Sequence, residues 1–199
     1  MEARVSVLLF DVDKTLTAVH VSHKIAQLLP QHKTLTDAVR ALPPNRELVS
    51  ESILIQSSFA SLVHFCARNH IRIALGSFGH HAYIDTLVKD LERWLPDIAN
   101  VWLRCSTSAN HPVVLTPRDF DAREGTDALK TKNRMVERVA SLAGVSVGNV
   151  MLIDDSSTNT FHARLLGAFV FQVRGNNGLT AHQCKVLEER LERNLLCSC

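Results

Sequence analysis

The sequence predicts an α/β fold: a mostly parallel central sheet flanked by helices, with a small helical insertion after the first strand. Three observations carry this. Four short apolar runs, Val5–Phe10, Ile71–Leu75, Val150–Ile153 and Ala168–Val173, have strand length and are rich in β-branched or aromatic residues. Stretches with apolar residues at helical spacing lie between them, and that alternation favours parallel strands joined by helices. The runs are also apolar almost without interruption, as strands buried on both faces must be.

The elements follow in order. After the first strand, Ala18–Ser58 breaks the alternation with a helical stretch at Val21–Leu29, a stop at Pro30, a second stretch at Leu35–Leu42 and then Pro43-Pro44; it reads as a small helical insertion over the strand ends. A helix over Phe59–Arg68 puts Leu62, Val63 and Cys66 on one face before the second strand. The pattern Ile84, Leu87, Val88, Leu91, Leu95 predicts a helix over Ala82–Leu95, and Val101–Cys105 is a weaker strand candidate. Ser106–Lys130, with Pro112, Pro117 and Gly125, reads mostly as loop with room for a short hairpin. Helices are expected at Asn133–Leu142, stopped by Gly144, at Thr158–Leu166, stopped by Gly167, and at Ala181–Leu196.

Composition narrows the function classes. At 199 residues, 46% of them hydrophobic, the chain suits a single domain over 1–199 that includes the insertion at 18–58. Its net charge of +2 provides no general attraction to nucleic acid or acidic membranes, so neither is an expected partner. No run approaches the roughly 18 apolar residues of a membrane span, and Met1–Val7 lacks the pattern of a secretory signal. Five cysteines at irregular spacing (Cys66, Cys105, Cys184, Cys197 and Cys199) do not form a disulfide framework or a zinc site, which points to a reducing cytoplasm. The ending Leu195-Leu196-Cys197-Ser198-Cys199 resembles a double-prenylation tail; a frayed terminus is the plainer reading.

In open parallel sheets ligands bind beyond the carboxyl ends of the strands. The first strand is followed there by Asp11-Val12-Asp13-Lys14-Thr15. Two carboxylates on a chain leaving a strand point the same way, and like charges this close resist ionising together. Magnesium, which takes oxygen ligands, would relieve that cost; an Asp-rich turn capping a helix is the alternative. The second strand is followed by Gly76-Ser77-Phe78-Gly79, suited either to an anion approaching main-chain N–H groups or to an ordinary serine-capped turn. Lys132, placed at the start of the Asn133–Leu142 helix, opposes the helix dipole, which would fit an anion held there. An exposed lysine is the plain alternative, and Lys130 is a competing candidate. The third strand is followed by Asp154-Asp155-Ser156-Ser157, a second costly acidic pair or a turn whose N-cap needs only one acid.

These residues in this order resemble the haloacid dehalogenase (HAD) superfamily. LLFDVDKTLT at 8–17 matches its first motif and VMLIDDSSTN at 150–159 the Asp-Asp form of its fourth; IALGSFG at 73–79 and Lys132 resemble the second and third. The segment from Thr131 to Asp155 is similar to the phosphoserine-phosphatase-like branch. The resemblance implies a Rossmann-like sheet and a phosphatase hydrolysing a phosphate monoester through an aspartyl-phosphate. Asp11 would be the nucleophile, Asp13 the general acid and base, and Lys132 the catalytic cation. Ser77, Lys132, Val12 and Phe78 would bind phosphate, and Mg2+ would be held by Asp11, the Asp13 main-chain carbonyl and Asp155, with Asp154 orienting the cluster or exchanging roles with Asp155. Asp13 argues against carbon–halogen hydrolysis, because the dehalogenases proper lack the second aspartate. Lys14 replaces a glycine common at that position. Phosphotransfer to a second substrate and a catalytically silent binding module are the competing readings. The short insertion leaves an open site, which suits a large phosphorylated substrate or a homo-oligomer whose neighbour completes the pocket. His20, His23, His80 and His81 border the predicted site as a polar rim.

Overall fold

The computed structural model describes residues 4–54, 57–105, 108–120 and 128–196. The central sheet takes strands β1 (Val7–Phe10), β2 (Arg72–Gly76), β5 (Val114–Leu115), β6 (Val150–Asp154) and β7 (Phe169–Gln172), in the order β5-β2-β1-β6-β7, with every pair parallel. A two-stranded antiparallel ribbon joins β3 (Arg104–Cys105) to β4 (Ser108–Pro112). The helices are α1 (Val21–Leu28), α2 (Leu35–Arg40), α3 (Asn45–Leu48), α4 (Glu51–Leu54), α5 (Ser57–Arg68), α6 (His81–Trp94), α7 (Ala128–Ala143), α8 (Ser157–Leu165) and α9 (Ala181–Leu196).

The alternating side chains of each strand divide the core in two. Leu8, Phe10, Ile73, Leu75, Met151 and Ile153 face one layer, which holds buried residues of α5, α6 and α9. Val7, Leu9, Ala74, Val150 and Leu152 face the other, against Met135, Val136, Val139 and Ala140 of α7 and Ala163 of α8. Every residue of β1 and β6 is buried, so the expected double-sided sheet is what the structure shows. Gly144 (φ 68°) and Gly167 (φ 95°) sit in the left-handed region where α7 and α8 end, as their stop positions require.

The short hairpin for which Ser106–Lys130 has room is present as the β3–β4 ribbon; the sheet edge around it and the start of α7 go beyond expectation. Val101–Cys105 and the following loop together form one interrupted edge. Trp102 pairs in parallel with Ile73, and Leu103 N donates to Ile73 O at 2.7 Å. The chain then leaves as the β3–β4 ribbon and returns as β5, whose Val114 and Leu115 pair with Leu75 and Gly76. Each piece is too short to show strand periodicity in the sequence. Helix α7 also begins at Ala128, so Lys132 lies in its second turn and not at a helix start. Ala, Leu and Lys are strong helix formers, and they carry the helix upstream of its amphipathic part. Gly125 and Cys197–Cys199 lie outside the described residues, as does the side chain of Lys130.

The insertion is tied to the body at its neck. Thr17 and Val49 form an antiparallel bridge, Ala18 N donates to Leu48 O at 2.7 Å, and Ser50 N donates to Leu16 O at 2.8 Å. Gly178, from the loop after β7, is wedged under this neck with φ 70°. A Cβ there would lie 2.5 Å from Thr17 O, 2.8 Å from Ser50 Cβ and 2.9 Å from Thr15 O. Val21, Ile25, Ala38, Leu48, Val49 and Ile53 are buried in the same cluster as Phe10 and Leu16, so the insertion shares the core of the body. No helix among the described residues is long and apolar enough to cross a membrane.

Candidate active site

The ends of three neighbouring parallel strands, β1, β2 and β6, carry Asp11, Ser77, Asp154 and Asp155, and α7 brings Lys132 to them. Asp11 leaves the central strand β1, with its N–H bonded to Ile153 O of β6 at 2.8 Å. From there the chain turns tightly through Val12–Leu16, and Lys14 adopts φ 56°. That left-handed conformation costs a non-glycine residue about 1–2 kcal/mol, which gives the glycine common at this position a physical reason. Thr17 closes the turn: its N–H and its Oγ1 donate to Val12 O at 2.9 Å and 3.0 Å.

Lys132 is the centre of the buried part. From α7 its side chain runs back towards the helix N-terminus, as helical side chains do, and reaches the strand ends with no solvent exposure. Its Nζ donates to Asp11 Oδ1 at 2.7 Å and to Gly76 O at 2.7 Å, and lies 3.3 Å from Asp154 Oδ2. The two carboxylates raise the affinity of Lys132 for its proton despite its burial. Burial pushes the Asp11 carboxyl up to about 7, against the opposing pull of Lys132. Asp155, half-buried, is also shifted up, first by desolvation and then by Asp154.

The two adjacent acids have different surroundings. Asp154 is fully buried and its oxygens are occupied: Ser156 N donates to Oδ1 at 2.8 Å, and Asn159 Nδ2 reaches Oδ1 and Oδ2 at 3.1 Å each. Oxygens of Asp11, Asp154 and Asp155 lie within 4.8 Å of one another. Three carboxyl groups meet here with Lys132 contacting two of them, and the donor set is all oxygen, so these residues fit a hard divalent cation, which would favour their charged forms.

Ser77 is buried at the end of β2, and its Oγ accepts from Gly79 N at 2.9 Å. The glycine before it is closely packed: a Cβ on Gly76 would lie 3.0 Å from Leu9 Cδ1 and 3.2 Å from Met135 Sδ, so those side chains would have to give way. Phe78 is exposed, with its ring centroid 5.0 Å from Lys132 Nζ. Val12 is buried in the core and Thr17 takes its carbonyl, so only its N–H is left to serve a ligand. Asp13 stands apart from the acid cluster, its carboxylate turned to the first turn of α1, and His20 Nδ1 lies 3.9 Å from its Oδ2. Asn159, the Gly76 carbonyl and Ser22 are site residues that sequence reasoning did not single out. Asn159, inside the fourth-motif segment, was the one open to detection.

A cavity of about 620 Å³ is lined by residues of α6, Val113–Leu115 and α7, and none of Asp11, Asp13, Asp154 and Asp155 lines it. Chemistry, not cavity size, marks the site.

No family model and no curated protein sequence matches this chain. Solved structures do. A HAD-superfamily hydrolase from Ehrlichia chaffeensis aligns with a TM-score of 0.56, over 98% of this chain and 100% of that one, at 12% identity. The chain has the haloacid dehalogenase fold. Two further structures with the HAD fold are similar at 13% identity. One is a dehalogenase with an intermediate complex (TM-score 0.52, 89% of each chain). The other is the cobalt-bound deoxy-D-mannose-octulosonate 8-phosphate phosphatase of Haemophilus influenzae (TM-score 0.50, 96% of this chain and 89% of that one).

Proposed function

We propose that this HAD-fold chain is a magnesium-dependent phosphatase that hydrolyses a phosphate monoester through an aspartyl-phosphate on Asp11. The observation that carries the reading is the fully buried Lys132 ammonium, held between Asp11 and Asp154 at the ends of neighbouring strands. With Lys132 on Oδ1, the other Asp11 oxygen is left to attack phosphorus. The Ser77 hydroxyl and the N–H groups of Val12 and Phe78 would receive the phosphoryl oxygens, where positioned donors lower the barrier most. Asp13 would give its proton to the leaving oxygen and then take one from the hydrolytic water. A magnesium ion bound by Asp11, Asp155 and the Asp13 carbonyl would offset charge on the phosphoryl group. Asp155 suits direct ligation because it is half-exposed, whereas the oxygens of Asp154 already serve Lys132, Ser156 and Asn159. An insertion that shares the core of the body, instead of standing over the site as a separate lid, favours a large phosphorylated substrate.

Turnover of a nitrophenyl phosphate should require magnesium and be abolished by Asp11→Asn. Full activity in that variant, or in excess chelator, would overturn the mechanism. If no phosphate ester is hydrolysed, beryllium fluoride bound at Asp11 would still mark a competent site, and its failure to bind would mark a silent one.

A further inference from the structure

The proposed acid/base is held by the insertion. Both oxygens of Asp13 accept from the start of α1: Val21 N donates to Oδ1 at 3.0 Å, Ser22 N to Oδ2 at 3.4 Å, and Ser22 Oγ to Oδ2 at 2.5 Å. Ser22 is the only side chain hydrogen-bonded to this carboxyl among the described residues. We propose that Ser22 is a positioning residue for proton transfer by Asp13, so that the first helix of the insertion belongs to the catalytic apparatus. This inference rests on the phosphatase reading.

The geometry divides the labour between the two oxygens. Oδ2 carries both Ser22 donors and faces His20. Oδ1 accepts one main-chain N–H and keeps a lone-pair position for the transferable proton. Holding Oδ2 fixes the carboxyl plane and directs Oδ1. In the first step the Asp11–phosphorus bond forms, the bond from phosphorus to the leaving oxygen breaks, and the Asp13 proton moves to that oxygen to release an alcohol. In the second, water oxygen bonds phosphorus, its proton returns to Asp13, and the Asp11–phosphorus bond breaks to release phosphate. Without the Ser22 hydroxyl the carboxyl is held by two main-chain N–H groups alone, and Oδ2 keeps only the longer contact, at 3.4 Å; the carboxyl plane is then less firmly fixed, and proton transfer is sensitive to such misplacement.

The test uses two substrates that differ in their need for a proton. A nitrophenyl leaving group departs as a stable anion, whereas a glycerol alkoxide must be protonated. Ser22→Ala should lower kcat on glycerol phosphate about tenfold more than on nitrophenyl phosphate, and Ser22→Thr, which keeps the hydroxyl, should restore most of the difference. Combined with Asp13→Asn, Ser22→Ala should add no further loss. Equal losses on both substrates in Ser22→Ala, or an undiminished extra loss in the Asp13→Asn background, would overturn the positioning role. Full turnover in Asp11→Asn, or no turnover of either ester by an unaltered protein that also fails to bind beryllium fluoride at Asp11, would overturn the phosphatase reading and this inference with it.

Discussion

On the sheet side of the site, Asp11 is held by groups the body provides: the Ile153 carbonyl and Lys132 from α7, which Asp154 also contacts. On the insertion side, Asp13 is held by the start of α1, next to the partly buried His20. The first side is dry and charged, and each member depends on the others. The second is partly solvated and rests on a short helix joined to the body through the Thr17–Val49 neck. The proposed nucleophile and its counter-charge are therefore built into the body, while the proposed proton donor is held by the insertion.

The largest expected effect comes from breaking the sheet side. Lys132→Met would leave Asp11 and Asp154 buried without their cation. Removing one partner of a buried pair costs about 3–5 kcal/mol, and loss of a positioned charge at phosphorus costs about 10²–10³ in rate. Urea unfolding and steady-state kinetics of the same preparation would show both. Stability unchanged from the unaltered protein would mean that the pair is not the buried linchpin of the site.

The insertion side can be broken at its neck. Gly178→Ala would force a Cβ against two carbonyl oxygens in a left-handed conformation, at a cost of about 2–4 kcal/mol from backbone and overpacking together. Because the strain falls at Thr15, Thr17 and Ser50, the variant should loosen α1 before the sheet. Hydrogen exchange of the Val21 and Ser22 amides should then quicken more than that of β1. Uniform acceleration across both would place the neck within the same cooperative unit as the sheet.

A smaller effect sharpens the electrostatic contrast. With its carboxyl raised to about 7 by burial, Asp11 keeps a proton in the folded protein between roughly pH 4 and pH 7, where the unfolded chain has released it. The folded state binds more protons there, so this group makes the metal-free protein less stable as pH rises through that window. The elevated Lys132 acts only above the ordinary lysine range and leaves the window untouched. Chelator-treated protein should lose stability relative to Asp11→Asn between pH 4 and pH 7, and magnesium should flatten the difference. An identical pH slope in the two proteins would show that Asp11 is not desolvated in solution.

The two sides also differed in how legible they were. Asp11, Ser77, Asp154 and Asp155 could be read because chemistry-bearing residues follow strands written as unbroken apolar runs, and Lys132 because it opens the amphipathic part of a helix. The register of β1 with β2 and β6 then aligns those ends without further information. The Gly76 carbonyl and the Val21 N–H were illegible because main-chain groups have no letter. Ser22 and Gly178 were illegible because their roles depend on tertiary approach: a serine in a helix start and a glycine in a loop have many ordinary explanations. The edge β5 escaped for a different reason, since its pairing is completed by the separate segment Val101–Leu103.

The place of β1 at the middle of the sheet also has a temporal consequence. The contact between Asp11 and Lys132 spans 121 positions of chain, and β1 gains its β6 neighbour only when Val150–Asp154 is available. As the chain emerges from a ribosome, Asp11 therefore appears 121 residues before the lysine that becomes its counter-charge. Non-local parallel pairing of this kind is slow, and until it is complete β1 presents an unpaired apolar edge. The growing chain meets its greatest hazard of aggregation in that interval, well before there is a site to be active.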